Sequence, residues 1–220
     1  MIETALGTSI AFTAPHRLAT KAGFDILEAG GTAVEAMVAA AAQIAVVYPH
    51  MNSIGGDGFW LIKKTDQSPV AISACGPAAQ QATPEWYEKK SYKSFLPTRG
   101  PLAALTVPGT IAGWKLALEL DNPKRAVPLN ELLSAAVERA KNGVAVTKNQ
   151  HETLASKQHE LVSVSGFKDF YLDKGHEPEV GSKLLQTKLG ETLEHLGRAG
   201  LDDFYTGEMG KIHGEFLSNA

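Results

Sequence analysis

Residues 49–60 read PHMNSIGGDGFW. Three glycines, a proline, a histidine and an aspartate stand here between an alanine-rich apolar run and a short aromatic-aliphatic one. A glycine cluster of this kind cradles a phosphate, brings backbone close to another element, or turns a corner. The Gly-Lys-Ser/Thr of a P-loop is absent, and the helical run precedes the loop instead of following it. A tight helix-to-strand connection with closely packed backbone at Gly55, Gly56 and Gly58 is the reading that composition favours over a nucleotide site.

Upstream, Thr32 followed by Glu35 forms a capping box, and the helix it opens, AMVAAAAQIAVV, is apolar on every side until Tyr48 meets Pro49. Such a helix is buried rather than amphipathic. Before it, KAGFDILEAGG places Ala22, Ile26 and Ala29 at helical spacing with Gly30 as a stop, and SIAFTAPH (9–16) alternates weakly, which predicts a strand leading into that helix. Downstream, FWLIKK (59–64) and PVAISA (69–74) flank the turn-forming TDQS and predict a β-hairpin fed by the glycine loop.

Three further helices follow from periodicity: Ile111, Trp114 and Leu118 on one stripe; Leu132, Ala136 and Ala140 on another, ending at Gly143; and Leu185, Leu189, Leu193 and Leu196 on a third. A last pattern, Met209, Ile212 and Phe216, lies near residue 220. LDNPKRAVP (120–128) predicts a surface loop, and no internal repeat or domain boundary appears, so residues 1–220 read as part of a single domain.

The 220 residues are 44% hydrophobic, enough for a sizeable core without disulfides or metal. A net charge of −3 with dispersed charges leaves no basic stripe for nucleic acid and no polybasic membrane patch. Residues 33–48 are interrupted by Glu35 and Gln43 and fall short of a bilayer span. The first residues lack the basic region of a signal peptide, which with the single Cys75 leads to the expectation of a cytoplasmic location. Glu191, Glu194 and His195 lie on adjacent helical turns, and His151 and His159 two turns apart, but no matching ligands occur elsewhere. Exposed helix faces account for both groups, and no metal or cofactor is expected. There is no Gly-x-Ser-x-Gly elbow, and no base flanks Cys75.

The residues alone therefore reach a mixed, helix-rich domain. The segment from Ala14 to Ile62 also resembles the opening of the γ-glutamyltranspeptidase family, through Pro15-His16, Gly30 to Ala36, and Pro49 to Phe59. TVPGTIAGW, AKNGVAV and GLDDFYTGEMGK are similar to three later blocks of that family, in the same order. The resemblance implies an α+β fold, the N-terminal-nucleophile hydrolase αββα four-layer sandwich, of which this chain would be the helix-rich N-terminal portion. It implies a precursor cut into two subunits, with a threonine heading the small subunit as nucleophile and its own amine as base. That threonine and most oxyanion donors would lie outside residues 1–220, so the partner is the small subunit or the remainder of the same precursor, and the chain alone is expected to be inactive.

Family members carry an arginine after the second strand that grips a substrate carboxylate. Here Cys75 or a near neighbour holds that place, and no arginine occurs from Ser73 to Thr98. A thiol cannot offer the bidentate fork a carboxylate prefers. Arg99, between Pro97 and Pro101, is the candidate substrate-binding residue, with a solvent-facing loop arginine as the competing reading. The resemblance thus implies an amidohydrolase or acyltransferase acting on a small carboxylate-bearing amide, either an oxamate-type amide or a γ-glutamyl compound. The rival expectation is a non-catalytic family member or fragment serving binding or assembly.

Overall fold

The computed structural model describes residues 6–100, 102–103, 106–121 and 127–218. Part of the loop expected at 120–128 and the first five residues lie outside this set. The elements in order are α1 (Arg17–Glu28), α2 (Ala33–Val47), β1 (Gly58–Ile62), β2 (Val70–Ala74), α3 (Pro84–Lys89), α4 (Thr110–Asp121), α5 (Leu129–Asn142), β3 (Val144–Ala145), α6 (Lys148–Leu161), α7 (Phe167–Tyr171), β4 (Lys183–Leu184), α8 (Thr187–Ala199), α9 (Asp203–Thr206) and α10 (Glu208–Ser218).

Helix α2 is the hub. Its capping box is formed as the sequence requires: Glu35 N–H donates to Thr32 Oγ1 at 3.1 Å, and Thr32 N–H to Glu35 Oε2 at 2.8 Å. The other carboxylate oxygen, Oε1, accepts from Val127 N–H at 3.1 Å, so a carboxylate only 1% exposed has both oxygens engaged. This is what permits a charge-bearing side chain inside the core. Val38, Ala42, Ala45 and Val46 of α2 pack with Leu132, Leu133 and Ala136 of α5 and Leu193 and Leu196 of α8. The helix is therefore buried between α1, α4 and α5, as its all-round apolarity predicts.

The hairpin forms with Trp60 opposite Ile72 and Gly58 opposite Ala74. Ile72 and Ala74 turn inward onto α4, whose Ile111, Trp114 and Leu118 are at most 2% exposed. Backbone approach too close to admit a side chain occurs here rather than in the glycine loop. A Cβ at Gly109 would run into the Ala74 carbonyl, and one at Gly76 into the Val107 carbonyl. A second, two-residue ladder joins β3 to β4.

Three expectations are corrected. Residues 9–16 form no strand. No strand edge pairs with them; they lie along α1, with the Phe12 ring filling the space where Gly23 lacks a side chain and Ala14 N–H donating to Thr20 Oγ1 at 3.1 Å. Leu185 precedes α8 and is 53% exposed, so the stripe begins at Leu189. In α10 the periodic residues face outward: Ile212 is 49% and Phe216 69% exposed. The architecture is α+β and helix-rich, and no described helix is long and apolar enough to cross a membrane.

Candidate functional site

The residues that begin β1 and the loop before it wall an open cleft of about 470 Å³. Met37, Ala41 and Ile44 of α2 form its apolar floor, and Trp60 and Trp114 lie on the hairpin and α4 sides. Polar atoms come from the 49–58 loop and from Thr110. This loop is held at one point above all. The Gly56 carbonyl accepts from Gly109 N–H and Thr110 N–H, each at 2.9 Å, and from Thr110 Oγ1 at 2.8 Å. Those amides begin α4, where a backbone oxygen satisfies donors that a helix start otherwise leaves open. Thr106 Oγ1 donates to Asp57 Oδ1 at 2.9 Å.

The glycines themselves contradict the close-packing expectation. Gly55, Gly56 and Gly58 are not among the residues with positive φ. A Cβ at Gly56 would meet nothing within 4 Å, and at Gly55 only Ser53 Oγ at 3.5 Å. At Gly58 the nearest atom is Thr110 Cα, at the ordinary contact distance of 3.7 Å. Within the described residues, neither strain nor crowding requires glycine at these positions.

His50 reaches across the cleft rim. Its Nε2 lies 2.8 Å from Asn149 Oδ1, which also accepts from Tyr48 Oη–H at 2.7 Å. With Asn149 Oδ1 as acceptor, Nε2 carries the ring proton. Nδ1 is then an acceptor, shielded from solvent and without a partner among the described residues. His16, part of the first motif, does a different job: its Nδ1 accepts from Leu18 N–H at 3.2 Å and caps α1. Burial, and then the neighbouring Arg17 charge, push its pKa below the ordinary histidine value.

Arg99 stands apart from the cleft. Its Nε donates to Glu160 Oε2 at 2.9 Å, with the arginine side chain 49% exposed. Hydrogen bonds from Lys157 first, then from Arg99, hold the Glu160 carboxyl down at about 2. Along α6, Glu160 is eleven residues from the Asn149 that meets His50, roughly 16 Å at the rise of a helix. Cys75 is exposed and follows β2, one register position beyond the Gly58–Ala74 pair and so opposite Asp57.

The histidine groups also resolve. His195 is not on a free helix face: its Nε2 pairs with Asp203 Oδ2 at 2.8 Å, and Asp203 accepts from Glu208 and Met209 N–H at 3.0 Å each, capping α10. Those amide bonds and His195 hold the Asp203 pKa below the usual carboxylate value, the Met209 N–H contributing most. Glu194 pairs with Lys141 at 2.9 Å, and His151 Nδ1 lies 3.0 Å from the Pro178 carbonyl, while the His159 side chain is 73% exposed. Among the described residues, no three His, Cys, Asp or Glu side chains gather as a metal site. Sequence reasoning missed Asn149, Thr106 and Thr110 as partners of the loop, since each contact spans 49 to 99 residues and leaves no local pattern.

A family model described as Gamma-glutamyltranspeptidase matches residues 19–219. An oxamate amidohydrolase proenzyme from Klebsiella pneumoniae is 48% identical over 198 residues, which cover 89% of the chain and 37% of that relative. A glutathione hydrolase proenzyme from Escherichia coli is 32% identical over 200 residues, covering 87% of the chain and 33% of the relative. The chain thus spans well under half the length of these curated relatives. Among solved structures, the γ-glutamyltranspeptidase of Helicobacter pylori superimposes with a TM-score of 0.82 at 28% identity, over 100% of this chain and 62% of that one.

Proposed function

The chain belongs to the γ-glutamyltranspeptidase family, and from that premise we propose that it is the N-terminal part of the large subunit of an amidohydrolase or acyltransferase acting on a small carboxylate-bearing amide. The observation that carries this reading is the gradient of identity, 48% to a protein named for oxamate hydrolysis against 32% to one named for glutathione hydrolysis. An oxamate-type amide is the preferred substrate and a γ-glutamyl compound the second. Cys75 supports that order, because it offers no guanidinium fork after β2 for an amino-acid carboxylate.

In this proposal the nucleophile is a threonine hydroxyl outside residues 1–220. It adds to the amide carbonyl, its proton passes to the departing nitrogen, and water or an amine then takes the acyl group from the ester. The remainder of the precursor supplies that threonine and the oxyanion donors. Arg99 is the proposed holder of the substrate carboxylate. Since its Nε is engaged by Glu160, the two terminal nitrogens must do the holding.

The test is kinetic, in the complete gene product. kcat/KM on oxamate is expected to exceed that on a γ-glutamyl anilide, and a reversed order removes the oxamate preference. Arg99→Ala is expected to lose about 1.5–3 kcal/mol of transition-state binding on the anionic amide but not on its neutral analogue, with Arg99→Lys recovering part. Equal small losses on both substrates assign Arg99 to the surface pair with Glu160 alone.

A further inference from the structure

We propose that the cleft walled by the 49–58 loop binds a primary amine on an apolar body, with Asp57 as the counter-charge of its ammonium group. In the reaction read above this amine is the nitrogen half of the amide, and that role rests on that reading.

The cleft is chemically one-sided. Its floor and flanks are Met37, Ala41, Ile44, Trp60 and Trp114, and about 470 Å³ is room for a small organic molecule. Asp57 is the one carboxylate among the described residues that line it, and no lysine or arginine does. None reaches Asp57 from elsewhere either. Among the described residues its carboxylate accepts from Thr106 Oγ1 at 2.9 Å and joins no ion pair. Cys75, opposite it across the ladder, brings a thiol and not a cation.

The carboxylate is also held ready. Three donors from Gly109 and Thr110 fix the Gly56 carbonyl just before it, and Thr106 fixes Oδ1. Oδ2 is left without a partner among the described residues, and Asp57 is exposed. A charge positioned before binding loses little freedom when a cation arrives. The approach is clear as well, since Gly56 lines the cleft and a Cβ there would meet nothing within 4 Å. Bare backbone at Gly56 serves no contact in the described chain, but it leaves room beside Asp57.

Charge complementarity selects the occupant. A lone carboxylate in a cleft with apolar walls attracts an ammonium and repels a second carboxylate. The acyl half of the proposed substrate, which carries the carboxylate, is thereby turned away from Asp57 and the nitrogen half toward it. Cleavage passes the threonine proton to that nitrogen, which departs as the free amine. A further proton from the solvent makes it the ammonium that pairs with Asp57.

Calorimetric titration of the full gene product with 2-phenylethylamine tests this, with 2-phenylethanol and 3-phenylpropionate as the neutral and anionic counterparts and amide turnover measured on the same sample. The amine is expected to bind about ten- to hundredfold more tightly than the alcohol, and the acid more weakly than either. Asp57→Asn should remove that advantage while leaving the alcohol unchanged, and should relieve inhibition of turnover by the amine. Gly56→Leu keeps the charge but fills the space beside it, and should weaken the amine. Equal binding of amine and alcohol, or an Asp57→Asn variant that binds both as the unaltered protein does, overturns the site. Amine binding through Asp57 without inhibition of turnover overturns its place in the reaction. Amine binding through Asp57 in a sample with no amide turnover removes the enzymatic reading and leaves the site standing.

Discussion

The carbonyl of Gly56 sits 2.8 Å from the Thr110 hydroxyl and 2.9 Å from the Thr110 amide, binding the glycine loop to the first turn of α4 across 54 residues of sequence. Thr110 is 8% exposed, so its hydroxyl has little alternative hydration. Thr110→Val keeps the shape and removes one donor. Urea unfolding is expected to show a loss of about 0.5–1.5 kcal/mol. No change would mean that the two backbone bonds suffice to hold the loop.

The glycines rank by what surrounds them. A side chain at Gly109 collides with the Ala74 carbonyl, whereas one at Gly56 meets nothing within 4 Å in the described chain. Gly109→Ala is expected to cost about 1–3 kcal/mol, as overpacking does, and more than Gly56→Ala in the same melting experiment. The reverse order would contradict the packing described for α4 against the hairpin.

Glu35 ties the start of α2 to Val127 through one carboxylate. Glu35→Ala removes half the capping box and strands a buried backbone N–H, with an expected loss of about 1–3 kcal/mol. Glu35→Gln keeps one acceptor oxygen and should lose less. Equal losses in the two variants would point to helix propensity or packing volume instead of the two hydrogen bonds.

The Arg99–Glu160 pair has a definite pH signature. Glu160, with its pKa lowered from the usual 4.5 to about 2, binds fewer protons folded than unfolded in that interval. Its stabilisation is therefore present above pH 4.5 and lost as pH falls through 2. In Arg99→Ala the Lys157 bond remains, so the Glu160 pKa should rise yet stay below 4.5, as read by NMR titration of the side-chain carboxyl. An unmoved titration would show that Arg99 does not hold Glu160 in solution.

Much of the framework was legible because it is local. The Thr32–Glu35 box, the all-round apolarity of α2, the Ile111–Trp114–Leu118 stripe and the TDQS hairpin turn each lie within a few residues of their cause. The cleft was not legible. Asn149 meets His50 and Tyr48 across about a hundred positions, and Asn149 on α6 has no pattern distinguishing it from any exposed asparagine. The outward Ile212 and Phe216 show a limit of periodicity in another way: an apolar stripe says that a face is to be covered, not which chain covers it. Composition brought the glycine loop to notice, but the structure gives the close-packing role to Gly76 and Gly109 instead.

The central claim is that residues 1–220 are one part of an amide-cleaving enzyme that is made as a precursor and cut. Intact mass of the purified full gene product, followed by N-terminal sequencing of each species, tests it most directly. The account predicts two pieces that sum to the precursor, the first containing residues 1–220 and the second beginning with threonine. A single uncut chain that nonetheless turns over amide, or a second piece whose first residue carries no hydroxyl or thiol, would contradict it.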